Sequence, residues 1–355
     1  MKKSNVTFIA AALIAVHVLI FIAVIGKRER NIKNTSSAPP PAAENHQDSE
    51  PLSLPNFKVP ELELPEPALP DAKPRTIAVP ESRELIATPG TQTGYLRYNR
   101  PDRRTTKVYS SLVSTPYQGA IVVDARTGKI LFENRAAAYA YPASVTKLMT
   151  LLIVLEQIDA GKVRLDDKIT ITREVSGIGG SEIFLDVRES GVFTVDDMLN
   201  ALIIHSANDA ARALAVHVAG TREAFVDMMN KKARELGMNS TVYHSEHGLP
   251  PEAGRQPDIS TAYDIAILSL ACLRHTETLG YTGTKLAWLP LSPIRKEKFM
   301  LANRNALVGR EPYPGCDGLK TGYHKIGGWS LAATAERDGQ RIISVVLGAP
   351  DKTTR

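Results

Sequence analysis

The stretch Tyr141-Pro142-Ala143-Ser144-Val145-Thr146-Lys147-Leu148-Met149-Thr150 opens an apolar helical pattern with a serine and places a lysine three residues later. On a helix such residues share a face, with roughly 5–6 Å between Cβ atoms. A lysine embedded among apolar neighbours loses its proton more readily, because burial penalises the ammonium. The neutral amine then takes the proton of the serine hydroxyl. The serine also stands at the positive end of the helix dipole, which favours a developing alkoxide. These residue types at this spacing make Ser144 an activated nucleophile and Lys147 its general base. Serine and lysine are common, so the pair alone has little specificity. It occurs once in the chain, and two further motifs follow it, also once each. Ser206-Ala207-Asn208 lies between helix-like segments, and Lys320-Thr321-Gly322 lies in a strand-like one.

The three motifs in this order resemble the serine penicillin-recognising enzymes, which carry Ser-x-x-Lys, Ser-Asp-Asn and Lys-Thr-Gly. The flanks narrow the match. Pro142 to Thr150, Phe193 to Ala211, His247-Gly248-Leu249-Pro250 and Asp317 to Tyr323 are similar to the D-alanyl-D-alanine carboxypeptidases, the low-molecular-mass penicillin-binding proteins. The resemblance covers about residues 109–355 and none of the first hundred. It implies an α+β, serine β-lactamase/DD-peptidase-like domain with an antiparallel sheet and a helical subdomain. It also implies roles. Ser206 relays a proton from Lys147 to the leaving amine, and Asn208 holds the backbone amide of the substrate. Lys320 and Thr321 anchor a terminal carboxylate, and Gly322 leaves room for a substrate strand alongside. The backbone N–H groups of Ser144 and Tyr323 form the oxyanion hole. Taken alone, Ser206-Ala207-Asn208 reads as an ordinary interhelix turn, so the joint set carries the reading.

The implied activity is removal of the terminal D-alanine from peptidoglycan stem pentapeptides through an acyl-enzyme on Ser144, with β-lactams as inhibitors. No metal, organic cofactor or nucleic-acid partner is implied. The alternatives are a DD-endopeptidase that cuts D-alanyl cross-links and a non-catalytic wall-binding scaffold. A class A β-lactamase fits less well, because its deacylating glutamate stands in a Glu-x-x-Leu-Asn loop after the second motif. Here Asp196-Asp197-Met198-Leu199-Asn200 precedes that motif. His244-Ser245-Glu246-His247 spaces two histidines for a metal but lacks the HExxH glutamate, and reads as a structural loop. His205 and His324 flank the second and third motifs.

The rest of the chain positions this domain. Met1-Lys2-Lys3 precedes an apolar run from Val6 to Ile25. At 1.5 Å per residue it spans about 30 Å, the hydrocarbon thickness of a bilayer. It ends without a small-x-small cleavage site, so residues 1–30 read as an uncleaved membrane anchor. Positive charge flanks both sides, and the extracytoplasmic (periplasmic) orientation rests on the resemblance. Twelve prolines between Pro39 and Pro89 make residues 31–108 a disordered, polyproline-like linker, reaching about 200 Å when stretched. The net charge of +5 is uneven, with a solvated basic arm at Arg97, Arg100, Arg103, Arg104 and Lys107. Hydrophobic residues make up 43%, enough for a sizeable core. Cys272 and Cys316 read as free buried thiols.

In residues 109–355, Gly119–Asp124 and Lys129–Glu133 read as two strands around a turn ending at Gly128. A helix hydrophobic on all sides runs from about Ser144 to Asp159 and stops at Ala160-Gly161; such a helix is buried. Thr194 with Asp197 predicts an N-cap and a helix to about Ile204. Asn208-Asp209 predicts the cap of another, to Ala219. Helices near 221–236 and 260–274 follow, then strands at 318–323, 329–335 and 341–347. Strands at both ends around a helical middle predict one sheet shared by the two ends. Many family members carry a covering helix and a β-rich C-terminal domain after this point, and these 355 residues contain neither pattern.

Overall fold

The computed structural model describes residues 116–250 and 256–355. The predicted membrane helix at 6–25 and the Pro-rich linker at 31–108 lie outside these residues. β1 (Gly119–Asp124) and β2 (Ile130–Asn134) form the expected hairpin. Asp124 accepts the N–H groups of Arg126 and Thr127 at 3.0 and 2.8 Å, tightening the turn. β3 (Tyr139–Ala140) pairs with β4 (Ser260–Thr261). The Ser-x-x-Lys segment begins as a 3₁₀ turn, Ala143–Thr146, that runs straight into α1 (Lys147–Asp159). In a 3₁₀ turn positions i and i+3 eclipse, which brings the serine and lysine side chains closer than an α-helical start would. Lys147 through Leu155 of α1 are buried, as expected of a helix apolar on all sides.

α2 (Val195–Asn200) opens on the predicted capping box, Thr194 with Asp197, and continues as a π-type turn over Ala201–His205. α3 (Asn208–Ala219) differs from expectation at its start. Ala207 holds the cap position, and no side chain caps the helix. Asn208 and Asp209 point inward instead, and Asp209 accepts the N–H groups of Ile183 and Leu185. Those bonds fix the loop over the second motif, an interaction with residues more than twenty positions away that local capping rules do not contain. α4 (Arg222–Glu235), α5 (Ala262–Cys272) and α6 (Glu277–Thr282) complete the helices.

A hairpin of β5 (Leu286–Leu289) and β6 (Phe299–Ala302) was not legible in the sequence. Only Leu289 and Leu301 are buried on it, while Leu286, Trp288 and Met300 are exposed, so its apolar alternation is weak. β7 (Cys316–His324), β8 (Gly328–Arg337) and β9 (Gln340–Ala349) join β1 and β2 in one antiparallel sheet, ordered β2-β1-β9-β8-β7. The two ends of the described domain therefore meet at β1 and β9, with α5 packed on both. β7, which carries Lys-Thr-Gly, is an edge strand. Its outer row of N–H and C=O groups faces the cavity described below. Cys272 is a buried free thiol and Cys316 a half-buried one.

Candidate active site

The Ser144 turn is held in an unusual backbone conformation. Ala143 has φ 52°, the left-handed region that costs a residue with a Cβ roughly 1 kcal/mol. Two glycines make this possible by letting other backbone approach. Gly248 (φ 82°) packs directly on the Ala143 carbonyl. A Cβ on Gly322 would lie 2.6 Å from the Pro142 carbonyl oxygen and 3.2 Å from the Ser144 nitrogen. The close approach that demands glycine in Lys-Thr-Gly is therefore to the nucleophile turn itself, a constraint distinct from the room for substrate expected above. The turn is clamped between loop 244–249 and β7.

Within that clamp Lys147 is fully buried. Its Nζ donates to Ser144 Oγ at 3.1 Å, to Asn208 Oδ1 at 2.6 Å and to the His247 carbonyl at 2.7 Å. Burial lowers its pKa to about 7, against the opposing pull of Glu246, Asp258 and Asp209. An amine in that range shuttles between base and acid near neutral pH. Asn208 completes its own bonding by donating to the Gly179 carbonyl at 2.7 Å. Each end of its amide thus has a partner within the protein, and Asn208 also lines the cavity described below.

The loop that supplies the His247 carbonyl is anchored by two buried carboxylates. Asp258 accepts from Thr146 Oγ1 at 3.0 Å, one residue before the lysine. It also accepts from the N–H groups of His244 and Ser245 and from Ser245 Oγ. Burial outweighs these bonds and raises its pKa to about 6. Glu246 pairs with Arg212 at 2.5 Å and with Arg222 at 3.5 Å, and its backbone carbonyl accepts from Thr150 Oγ1. His247, pushed down to about 3 by burial, accepts the Leu249 N–H on Nδ1. That is the structural histidine expected of the HxxH segment.

Ser206, left-handed at φ 65°, lines a cavity of about 840 Å³ together with Ser144, Asn208, Thr321, Gly322 and Tyr323. Lys320 lies buried behind this wall, donating to the Thr321 carbonyl at 3.0 Å. Its pKa falls well below the usual lysine value through burial first, then repulsion from Lys147, Arg304 and Arg355. All eight residues singled out in the sequence thus converge on one place. The sequence reading missed the cations around it: Arg304, Arg310, Lys325, Lys352 and Arg355 also line the cavity. No acidic side chain does so among the described residues. No local pattern marks these cations, because the chain brings them from three separate segments. His324 lines this cavity and His205 adjoins it through its carbonyl bond to Arg304; burial lowers the pKa of both.

Comparison with known proteins gives a family and a fold. The D-alanyl-D-alanine carboxypeptidase family matches residues 108–351. Among curated relatives, Bacillus subtilis D-alanyl-D-alanine carboxypeptidase DacF is 38% identical over 65% of this chain and 57% of its own length. Escherichia coli DacC is 35% identical over 66% and 56%. The chain thus spans little more than half the length of these relatives. Among solved structures, the Francisella tularensis D-alanyl-D-alanine carboxypeptidase DacD superposes with TM-score 0.62, at 26% identity and 73% of each chain. Listeria monocytogenes penicillin-binding protein D2, in its ampicillin-bound form, has TM-score 0.58 and 30% identity, over 70% of this chain and 94% of that one. Their shared mixed fold, with its antiparallel sheet, and the matched residues lead to one assignment: the chain belongs to the D-alanyl-D-alanine carboxypeptidase family.

Proposed function

We propose that this protein is a serine-type D-Ala-D-Ala carboxypeptidase that trims the terminal D-alanine from peptidoglycan stem pentapeptides. The observation that carries the reading is the Ser144 Oγ to Lys147 Nζ contact at 3.1 Å, with a lysine fully buried and lowered to about 7. Neutral Lys147 takes the hydroxyl proton as Ser144 Oγ attacks the penultimate D-alanine carbonyl. The oxyanion forms between the N–H groups of Ser144 and Tyr323. The proton then passes by way of Ser206 to the leaving amine, D-alanine departs, and water releases the acyl group from Ser144. Asn208 holds Lys147 in place. Lys320, Thr321 and Arg355 receive the terminal carboxylate, whose charge favours the protonated form of Lys320 that burial disfavours. The ampicillin-bound form of the Listeria relative supports a β-lactam as a ligand of this cavity. In this reading residues 1–30 anchor the domain to the cytoplasmic membrane as a single-pass protein, and residues 31–108 space it toward an extracytoplasmic substrate.

The test incubates the protein and its Ser144→Ala variant with purified cross-linked peptidoglycan rich in pentapeptide stems, with products read by mass spectrometry. Loss of one alanine per pentapeptide, absent in the variant, is the expected result. Falling dimers with rising monomers would assign endopeptidase activity instead. Folded protein that gives neither product nor a penicillin adduct on Ser144 would refute the enzymatic reading.

A further inference from the structure

The cavity holds more positive charge than one terminal carboxylate answers. Elsewhere in the domain arginines pair with acids: Arg212 with Glu246, Arg295 with Glu189, and Arg341 with Asp317. Among the described residues, none of the five cations lining the cavity makes such a pair. Arg304 is tied to the His205 carbonyl and Ser181 Oγ, and Arg355 stacks over Trp329.

The sheet register separates these cations along the substrate path. If the terminal carboxylate lies at Lys320–Thr321 and the scissile carbonyl at Tyr323, the residues before the scissile bond continue past Tyr323 toward Lys325. The β7–β8 register pairs His324 with Gly328, and the β8–β9 register pairs Trp329 with Ala349. The turn bearing Lys325 and the segment bearing Lys352 therefore emerge at the same end of the sheet. Both lysines are exposed and line the cavity. Beside them Tyr323 and Trp329 form a tilted aromatic pair, with ring centroids 4.4 Å apart. Asp351, the nearest acid in sequence, does not line the cavity. It is engaged by the Thr353 and Thr354 N–H groups of its own turn.

We propose that Lys325 and Lys352 form a second anion subsite, which takes a free carboxylate of the stem peptide upstream of the scissile bond. This rests on the carboxypeptidase reading and adds a substrate preference to it: stems with free carboxylates over stems amidated there. At one residue per about 3.3 Å of strand, the first positions upstream of the penultimate alanine come within reach of these lysines. Two carboxylates qualify chemically, the α-carboxylate of a γ-linked glutamate and the side-chain carboxylate of a diamino-dicarboxylic acid.

The experiment measures kcat/KM of the full chain on three pentapeptides: one with both carboxylates free, one amidated at the glutamate, and one amidated at the diamino acid. Wild type is compared with Lys325→Gln, Lys352→Gln, the double variant and Lys325→Glu. The ratio of free to amidated stem is taken within each variant, so a general loss of activity cancels. Contact with one carboxylate in a partly solvated site predicts a wild-type preference of about fivefold, carried by KM. It should fall toward unity in the double variant and in high salt, and should reverse in Lys325→Glu. The amidated stem that loses efficiency identifies which carboxylate is read. Equal use of all three peptides by wild type, or a preference that survives the double variant, would overturn the subsite while leaving the carboxypeptidase reading intact. Failure to cleave any of them would remove both.

Discussion

Alanine at Gly322 tests whether the nucleophile is positioned by backbone packing against β7. Gly322 does not have a positive φ, so alanine suits its backbone and the perturbation is purely steric. The new Cβ would lie 2.6 Å from the Pro142 carbonyl oxygen, 3.1 Å from Ala143 Cβ and 3.2 Å from the Ser144 nitrogen. Carbon and carbonyl oxygen normally stay about 3.3 Å apart or more, so the strand and the turn must separate by about 0.7 Å. β7 has a neighbour on one side only and is free to give, which limits the stability cost to about 1–3 kcal/mol. Catalysis is less tolerant, because a shift of about 1 Å between nucleophile and oxyanion donors costs on the order of 100-fold. The assay is the second-order rate of Ser144 acylation by a fluorescent penicillin, with a thermal melt in parallel. Gly280→Ala, in α6 with nothing within 4 Å of the new Cβ, is the control and should match wild type. Acylation of folded Gly322→Ala within about threefold of wild type would refute the clamp.

With Lys147 lowered to about 7, the same acylation rate should rise with pH and level off above about 8. It should lose about tenfold per pH unit below the midpoint, and a flat profile from pH 5 to 8 would exclude Lys147 as the base. Asp258→Asn sets an amide N–H against donors and should cost about 2 kcal/mol or more, read as a lower Tm, with slower acylation as loop 244–249 loosens. Because burial raises Asp258 from 3.8 to about 6, its contribution to stability is present below about pH 4 and lost as pH rises through about 6. The wild-type advantage in Tm over Asp258→Asn should therefore shrink across that window. Glu246→Ala strands Arg212 and Arg222 without their shared carboxylate and should destabilise by about 3–5 kcal/mol in denaturant titration. An unchanged midpoint would show that water replaces the pair.

What the sequence determined by itself is local. Ser144 and Lys147 meet because three residues of helical chain bring their side chains together, whatever else the protein does. The turn at Gly128, the capping box of Thr194 with Asp197 and the burial of α1 follow from patterns a few residues long. The pairing of strands from the two ends of the domain followed from their placement on either side of a helical middle, although their order did not. Tertiary structure decided how the lysine is tuned and held. The His247 carbonyl reaches Lys147 across 100 positions, and Asp258 reaches Thr146 across 112. It also turned Asn208 and Asp209 away from capping, because inward partners on loop 179–185 satisfy them better than the helix end does. The steric demand on Gly322 and the cationic wall share one property: no short window contains both sides of the contact. Those contacts exist only once the sheet register brings distant segments to the same edge, and burial there, rather than residue type, sets the charge a lysine carries.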